Sequence, residues 1–133
     1  MRIGSLADAM RYSATGLTAE RSRMDVISTN LANANSIARK GEEGYRRRLV
    51  SLTSTESGVA IESIKPDMKT AFQEKYEPGH DYANDRGYIT MSNIDPISEM
   101  VDMIGASRAY EANIAAFNTA KGMQNSALQI GKA

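Results

Sequence analysis

Apolar residues recur every seven positions from the start of the chain, at Ile3, Met10, Leu17, Met24 and Leu31. The interleaved positions Leu6, Ser13, Glu20, Ile27 and Ala34 are apolar in three cases of five, so the stripe advances in alternating steps of three and four, as one face of a long helix does. The spacing predicts a helix over about residues 4–34. A seven-residue repeat sustained this far also implies a partner helix in a left-handed supercoil. Ser5 with Asp8 three residues on is a weakened capping box, and Asn33, Asn35 and Ser36 are suited to ending the helix. Gly16 is an interior flaw, worth roughly 1 kcal/mol against alanine.

A second stripe closes the chain. Asp95-Pro96 supplies an N-cap carboxylate and then the one helical position where proline is welcome, and Glu99 and Asp102 put negative charge near the positive end of the helix dipole. Ile97, Met100, Val101, Ile104, Tyr110, Ile114, Phe117 and Leu128 form the apolar positions of a helix over about 96–130. The stripe thins through Asn118, Lys121 and Asn125 before Gly131 ends it. Between the two stripes, short β-type runs at Tyr45 to Leu52, Val59 to Ile64 and near Tyr88 to Met91 are separated by Gly58, Pro66, Pro78-Gly79 and Gly87. The expected architecture is mainly α: long N- and C-terminal helices packed as a coiled coil, with a small β-rich insertion between them. The expected divisions are 1–36, 37–94 and 95–133, the two helices together forming one core.

Length and composition narrow this further. At 133 residues the chain is one domain's worth of protein, with two Phe, six Tyr and no Trp to build a core. A helix pair buries one seam and leaves the rest of a wide apolar arc uncovered, so the surplus predicts assembly with copies or relatives of itself. Sixteen basic against sixteen acidic residues give no net charge, which removes the footprint of a nucleic-acid or anionic-membrane binder and leaves proteins as partners. Without cysteine there is no disulfide, thiolate metal site or thiol nucleophile. The first twenty residues lack the apolar run of a cleaved signal peptide, and no stretch suits a membrane span. That pattern suits the cytosol or an export route that reads an uncleaved N-terminus.

No step of enzyme chemistry has its full set of groups, and no cofactor or metal is expected. Asp95, Glu99 and Asp102 could imitate a paired acid–base site, but their place in the first turns of a helix gives them a dipole role. Arg46-Arg47-Arg48 alternate across a strand and share no one surface, so partner carboxylates suit them better than an anion. His80, the single histidine, reads as a turn residue, since a metal wants three or four donors. The most unusual local feature is the run Ser28-Thr29-Asn30-Leu31-Ala32-Asn33-Ala34-Asn35-Ser36, whose asparagines compete with helix hydrogen bonds. It reads either as a frayed helix end or as a junction where helix and loop pack closely against neighbouring subunits. On these residues alone, a cytosolic helical-hairpin adaptor that binds a partner helix remains the alternative to an assembling subunit.

The stretch Asp25 to Ser36 resembles the N-terminal signature of the bacterial flagellar rod and hook family, and Glu99 to Asn113 resembles its C-terminal signature. Within them Asn30, Leu31, Asn33, Ser107, Arg108, Tyr110, Glu111 and Asn113 carry the motif. Tyr76-Glu77-Pro78-Gly79-His80, Ala83-Asn84, Gly87-Tyr88-Ile89 and Asn93-Ile94-Asp95 are similar to the proximal rod branch of the family. The resemblance implies a structural subunit of the basal body that self-assembles through its terminal helices into the hollow axial shaft that transmits torque for motility. It implies export by the flagellar type III apparatus without a cleaved signal, and a place in the rod across the periplasm. Its partners would be other copies, other proximal rod subunits, the distal rod protein and the FliE adaptor. The packing positions expected are Ile3, Leu6, Met10, Leu17, Met24, Ile27 and Leu31 against Ile97, Val101, Ile104, Tyr110, Ile114, Phe117 and Leu128, and against neighbouring subunits.

Overall fold

A computed structural model describes residues 5–132. Two long helices, α1 (Leu6–Ala32) and α2 (Pro96–Ile130), frame an insertion of four strands: β1 (Arg48–Thr55), β2 (Gly58–Pro66), β3 (Glu74–Tyr76) and β4 (Tyr88–Thr90). The strands form two separate two-stranded sheets, β1 with β2 and β3 with β4. The expected pair of helices and the small β insertion are therefore present.

Both helix starts follow from their caps. The Ser5 amide donates to Asp8 Oδ2 (3.4 Å) while the Asp8 amide donates to Ser5 Oγ (3.1 Å), and Asp8 also accepts from Arg11 at 2.7 Å. At α2, Asp95 Oδ1 accepts from the Ile97 amide and Asp95 Oδ2 from the Ser98 hydroxyl at 2.6 Å. The Ser98 bond, with the Ile97 and Ser98 amides, holds the Asp95 carboxyl below the ordinary aspartate range. At the far end of α1, Asn33 Nδ2 donates to Thr29 O at 2.9 Å and the chain turns.

The strands depart from the sequence expectation in two places. β1 begins at Arg48 rather than Tyr45, because the Tyr45 hydroxyl and the Arg47 amide are drawn to Asn30 and Asn93 side chains instead of a ladder. The three-residue β3 carries no apolar alternation to betray it. It pairs antiparallel with β4 in the register Glu74↔Thr90, Lys75↔Ile89 and Tyr76↔Tyr88, where the two tyrosine rings meet edge to face with centroids 5.2 Å apart.

The chain forms two compact units, one drawn from three stretches and the other from two. The first comprises the residues up to Met24, Ser51–Ser63 and the chain from Ile104 onward; the second comprises Asp25–Val50 and Ile64–Met103. In the first, the buried positions are small: Ser13, Gly16, Ala19, Ala106 and Ala120. A Cβ at Gly16 would stand 2.8 Å from the Asn113 amide, so this glycine allows a close approach that the helix-propensity argument alone counted as a flaw. Gly58, at φ +129°, does the same for the hairpin: a Cβ there would lie 2.2 Å from Thr15 Oγ1. Val59 N donates to that same Thr15 oxygen, and the Tyr12 hydroxyl donates to Glu56 O.

The second unit buries Ile27, Ala34, Ile89 and Ile94 together with the polar Asn30, Asp67, Ser92, Asn93 and Glu99. An isolated bridge joins Ile37 to Met91, and the Ser92 hydroxyl donates to Ala34 O at 2.6 Å.

Candidate functional site

The densest chemistry of the second unit lies where the end of α1, the residues leading into β1 and the start of α2 converge. Asn30, 1% exposed, uses its whole hydrogen-bonding capacity. Its Nδ2 donates to Arg48 O (2.9 Å) and to Glu99 Oε2 (3.2 Å). Its Oδ1 accepts from the Arg48 amide (3.0 Å) and the Tyr45 hydroxyl (3.4 Å). A side-chain amide that both gives to and takes from one residue's backbone acts as a strand neighbour would, which holds Arg48 extended at the foot of the hairpin.

Arg47 completes the group. Its Nε donates to Glu99 Oε1 and its Nη2 to Asp102 Oδ2 at 2.9 Å, while its backbone amide donates to Asn93 Oδ1 at 2.6 Å. Glu99 is 1% exposed, so its charge is stable only with these donors in place. Asn93 Nδ2 in turn donates to the carbonyls of Asp67 and Thr70. The Asp67 carboxylate accepts from the Thr70 hydroxyl and from the Lys69 and Thr70 amides, with the Thr70 hydroxyl chief among the causes that hold its carboxyl below the ordinary range. Nearby, Arg46 lies over the Phe72 ring at 4.4 Å and pairs with Glu43.

Sequence reasoning gave Glu99 and Asp102 a dipole role; both in fact pair with Arg47. It singled out the asparagine run, as either a frayed helix end or a junction packing against neighbouring subunits, and the structure shows Asn30 satisfied within its own chain. Nothing local to Arg47 or Glu99 signals a bond across more than fifty residues of chain. His80 Nδ1 accepts from the Tyr82 amide at 3.1 Å, and among the described residues no cluster of three or more His, Cys, Asp or Glu could hold a metal ion.

The expected packing positions fall into two groups. Leu6, Met10, Leu17, Met24 and Leu31 are half-buried and Ile27 is buried, as are the intervening Ser13 and Ala34; Ile3 lies outside the described residues. On α2, Tyr110 and Phe117 are half-buried, but Ile97 (72%), Val101 (62%), Ile104 (55%), Ile114 and Leu128 stand exposed. Glu99, Met103, Ala106, Tyr110, Asn113, Phe117, Ala120 and Gln124 of α2 are buried or half-buried, in steps of four and three, with Pro96, Asp102, Ser107 and Ala109 half-buried beside them. Within the first unit an apolar groove of about 290 Å³ is lined by Thr15, Thr18, Ala19, Val59, Ala60 and Ile61.

Two family profiles match the chain at its two ends. One, described as flagella basal body rod protein, covers residues 10–36, and the other, flagellar basal body rod FlgEFG protein C-terminal, covers 85–130. The chain is 39% identical to the flagellar basal-body rod protein FlgC of Bacillus subtilis, over 93% of this chain and 97% of that one. It is 35% identical to FlgC of Borreliella burgdorferi and 34% identical to FlgC of Escherichia coli O157:H7, over at least 94% of this chain and 97% of each relative. The chain belongs to the flagellar basal-body rod proteins. It is a structural rod subunit of the basal body, and no described helix of this rod protein is long and apolar enough to cross a membrane. Of the convergence, Asn30 and Glu99 lie inside the two family-matched ends of this rod protein, while Tyr45, Arg47 and Arg48 lie between them.

Proposed function

We propose that this rod protein is a proximal rod subunit that polymerises through its two terminal helices into the hollow axial shaft transmitting motor torque. The helices, residues 1–36 and 95–133, form the axial core, and residues 37–94 form a small outer part. One observation carries the reading: Ile97, Met100, Val101 and Ile104 recur at helical spacing on α2, each more than half exposed. A monomeric protein gains nothing from such a ladder, whereas an assembling one covers it with a neighbour. The inner positions of α2 and the heptad of α1 share the spacing a left-handed helix pair requires, which supports coiled-coil packing in the shaft. Leu6, Met10, Leu17, Met24, Ile27 and Leu31 then pack against the inner face of α2, and the exposed residues pack between subunits. Neighbours are other copies, other rod subunits and the FliE adaptor, with delivery by the flagellar type III export apparatus.

Ile104→Asp tests this directly, since the residue is exposed and the change spares the subunit's own fold. Burying an unpaired carboxylate in an assembled seam costs several kcal/mol. The variant should be exported and folded yet fail to build rods or support swimming, and normal swimming would refute the assignment. Leu17→Asp should also abolish rods.

A further inference from the structure

The hydrogen bonds of Asn30 have a consequence beyond the building of a shaft. Asn30 sits two residues before the end of α1, Glu99 sits in the first turns of α2, and the two are 69 residues apart in sequence. Neither helix end can satisfy its own buried group. Glu99 Oε2 takes its bond from Asn30 and Oε1 from Arg47, and the Asn30 amide is filled only when Arg48, Tyr45 and Glu99 are all in place. Removing any one member strands a polar or charged group that is 1% exposed, and a half-satisfied buried network is worse than none. The geometry therefore couples three pieces of chain: the end of α1, the residues entering β1 and the start of α2. We propose that Asn30, Arg47 and Glu99 form an intrachain clasp that makes order in the first turns of the C-terminal helix conditional on order in the last turns of the N-terminal helix. Asn30 and Arg47 are positioning residues: they act through Glu99 on the backbone of residues 97–103. A chain in which one helix end is unformed cannot form the other, so the subunit presents both helices or neither. The clasp is a property of the folded chain and stands independently of the rod reading.

The test is site-resolved amide exchange by NMR on the full purified chain. Asn30→Asp is isosteric, yet it removes both donations and faces the Glu99 carboxylate with a second one. Exchange at residues 97–103 should rise about tenfold or more, the population change that losing a charge-assisted hydrogen bond produces. Adding Glu99→Gln should recover much of the protection, because the new amide can donate to the new carboxylate while Arg47 keeps Asp102. A role limited to filling space predicts no such recovery, since both single changes conserve volume. The clasp is overturned if the effect of Asn30→Asp stays within residues 27–34 and 45–49, if the double variant is no better protected than Asn30→Asp alone, or if residues 97–103 are already unprotected in the unaltered chain. Swimming assays are separate: their outcome bears on the rod reading and leaves the clasp untouched.

Discussion

The two compact units solve the problem of burial in opposite ways. The second, Asp25–Val50 with Ile64–Met103, encloses large aliphatic groups and a polar network whose members are satisfied by their own chain. The first buries only serine, glycine and alanine, and leaves Ile104, Ile114, Met123, Leu128 and Ile130 exposed. Its Glu20 Oε2 is buried without a hydrogen-bond partner among the described residues, although Arg23 lies 3.5 Å away, whereas every valence of Asn30 in the second unit is filled. Small buried residues let backbones approach closely but remove little apolar area from water. The second unit thus has a core specified by its own contacts, although it too leaves Ile97, Met100 and Val101 exposed, whereas the first buries no large apolar group among the described residues.

The largest break in that contrast should come from Arg47→Ala, which leaves Glu99 buried as an unpaired charge. Loss of a buried partner costs about 3–5 kcal/mol, and the loss should appear as a lower urea midpoint of unfolding. Next, Ile27→Ala in the second unit should cost about 2–4 kcal/mol through the cavity it leaves, while Leu128→Ala in the first should stay within about 0.5 kcal/mol in the dilute chain. Equal costs in the same urea titration would erase the distinction between the units.

Gly16→Ala sharpens the picture of the first unit. Helix propensity alone predicts a gain of roughly 1 kcal/mol, but the added Cβ meets the Asn113 amide at 2.8 Å. The substitution should instead destabilise by about 1–2 kcal/mol, as overpacking does, and Asn113→Ala in the same chain should relieve it. Thermal unfolding of the two variants decides between these signs. The smallest effect belongs to the caps. Hydrogen bonds depress the Asp95 and Asp67 carboxyls in the folded chain, so the unfolded chain binds protons first as pH falls. Their stabilisation is complete above the ordinary aspartate range and vanishes as pH drops through the depressed folded values. The stability difference between the unaltered chain and Asp95→Ala should therefore be present at neutral pH and close in acid.

These differences also explain how much could be read from sequence. Both helices were legible, down to Pro96 and the Ser5–Asp8 cap, because periodicity and capping are local signals. The inner face of α2 was legible only at Tyr110 and Phe117, because its other positions include the polar Glu99, Asn113 and Gln124 and the small Ala106 and Ala120, while the conspicuous Ile97, Val101 and Ile104 lie outside it. The convergence on Asn30 was half visible, as an odd cluster of asparagines. Its partners Arg47 and Glu99 could not be named, since a bond over such a separation leaves no trace in spacing.

Hydrogen–deuterium exchange of the free chain against assembled rods tests the contrast most directly. Residues 25–50 and 64–103 should exchange most slowly in the dilute subunit, while residues 5–24 and 104–132 should exchange faster than these and gain protection on assembly. Uniform protection of the free chain, or no gain at 104–132 in the rod, would contradict the account.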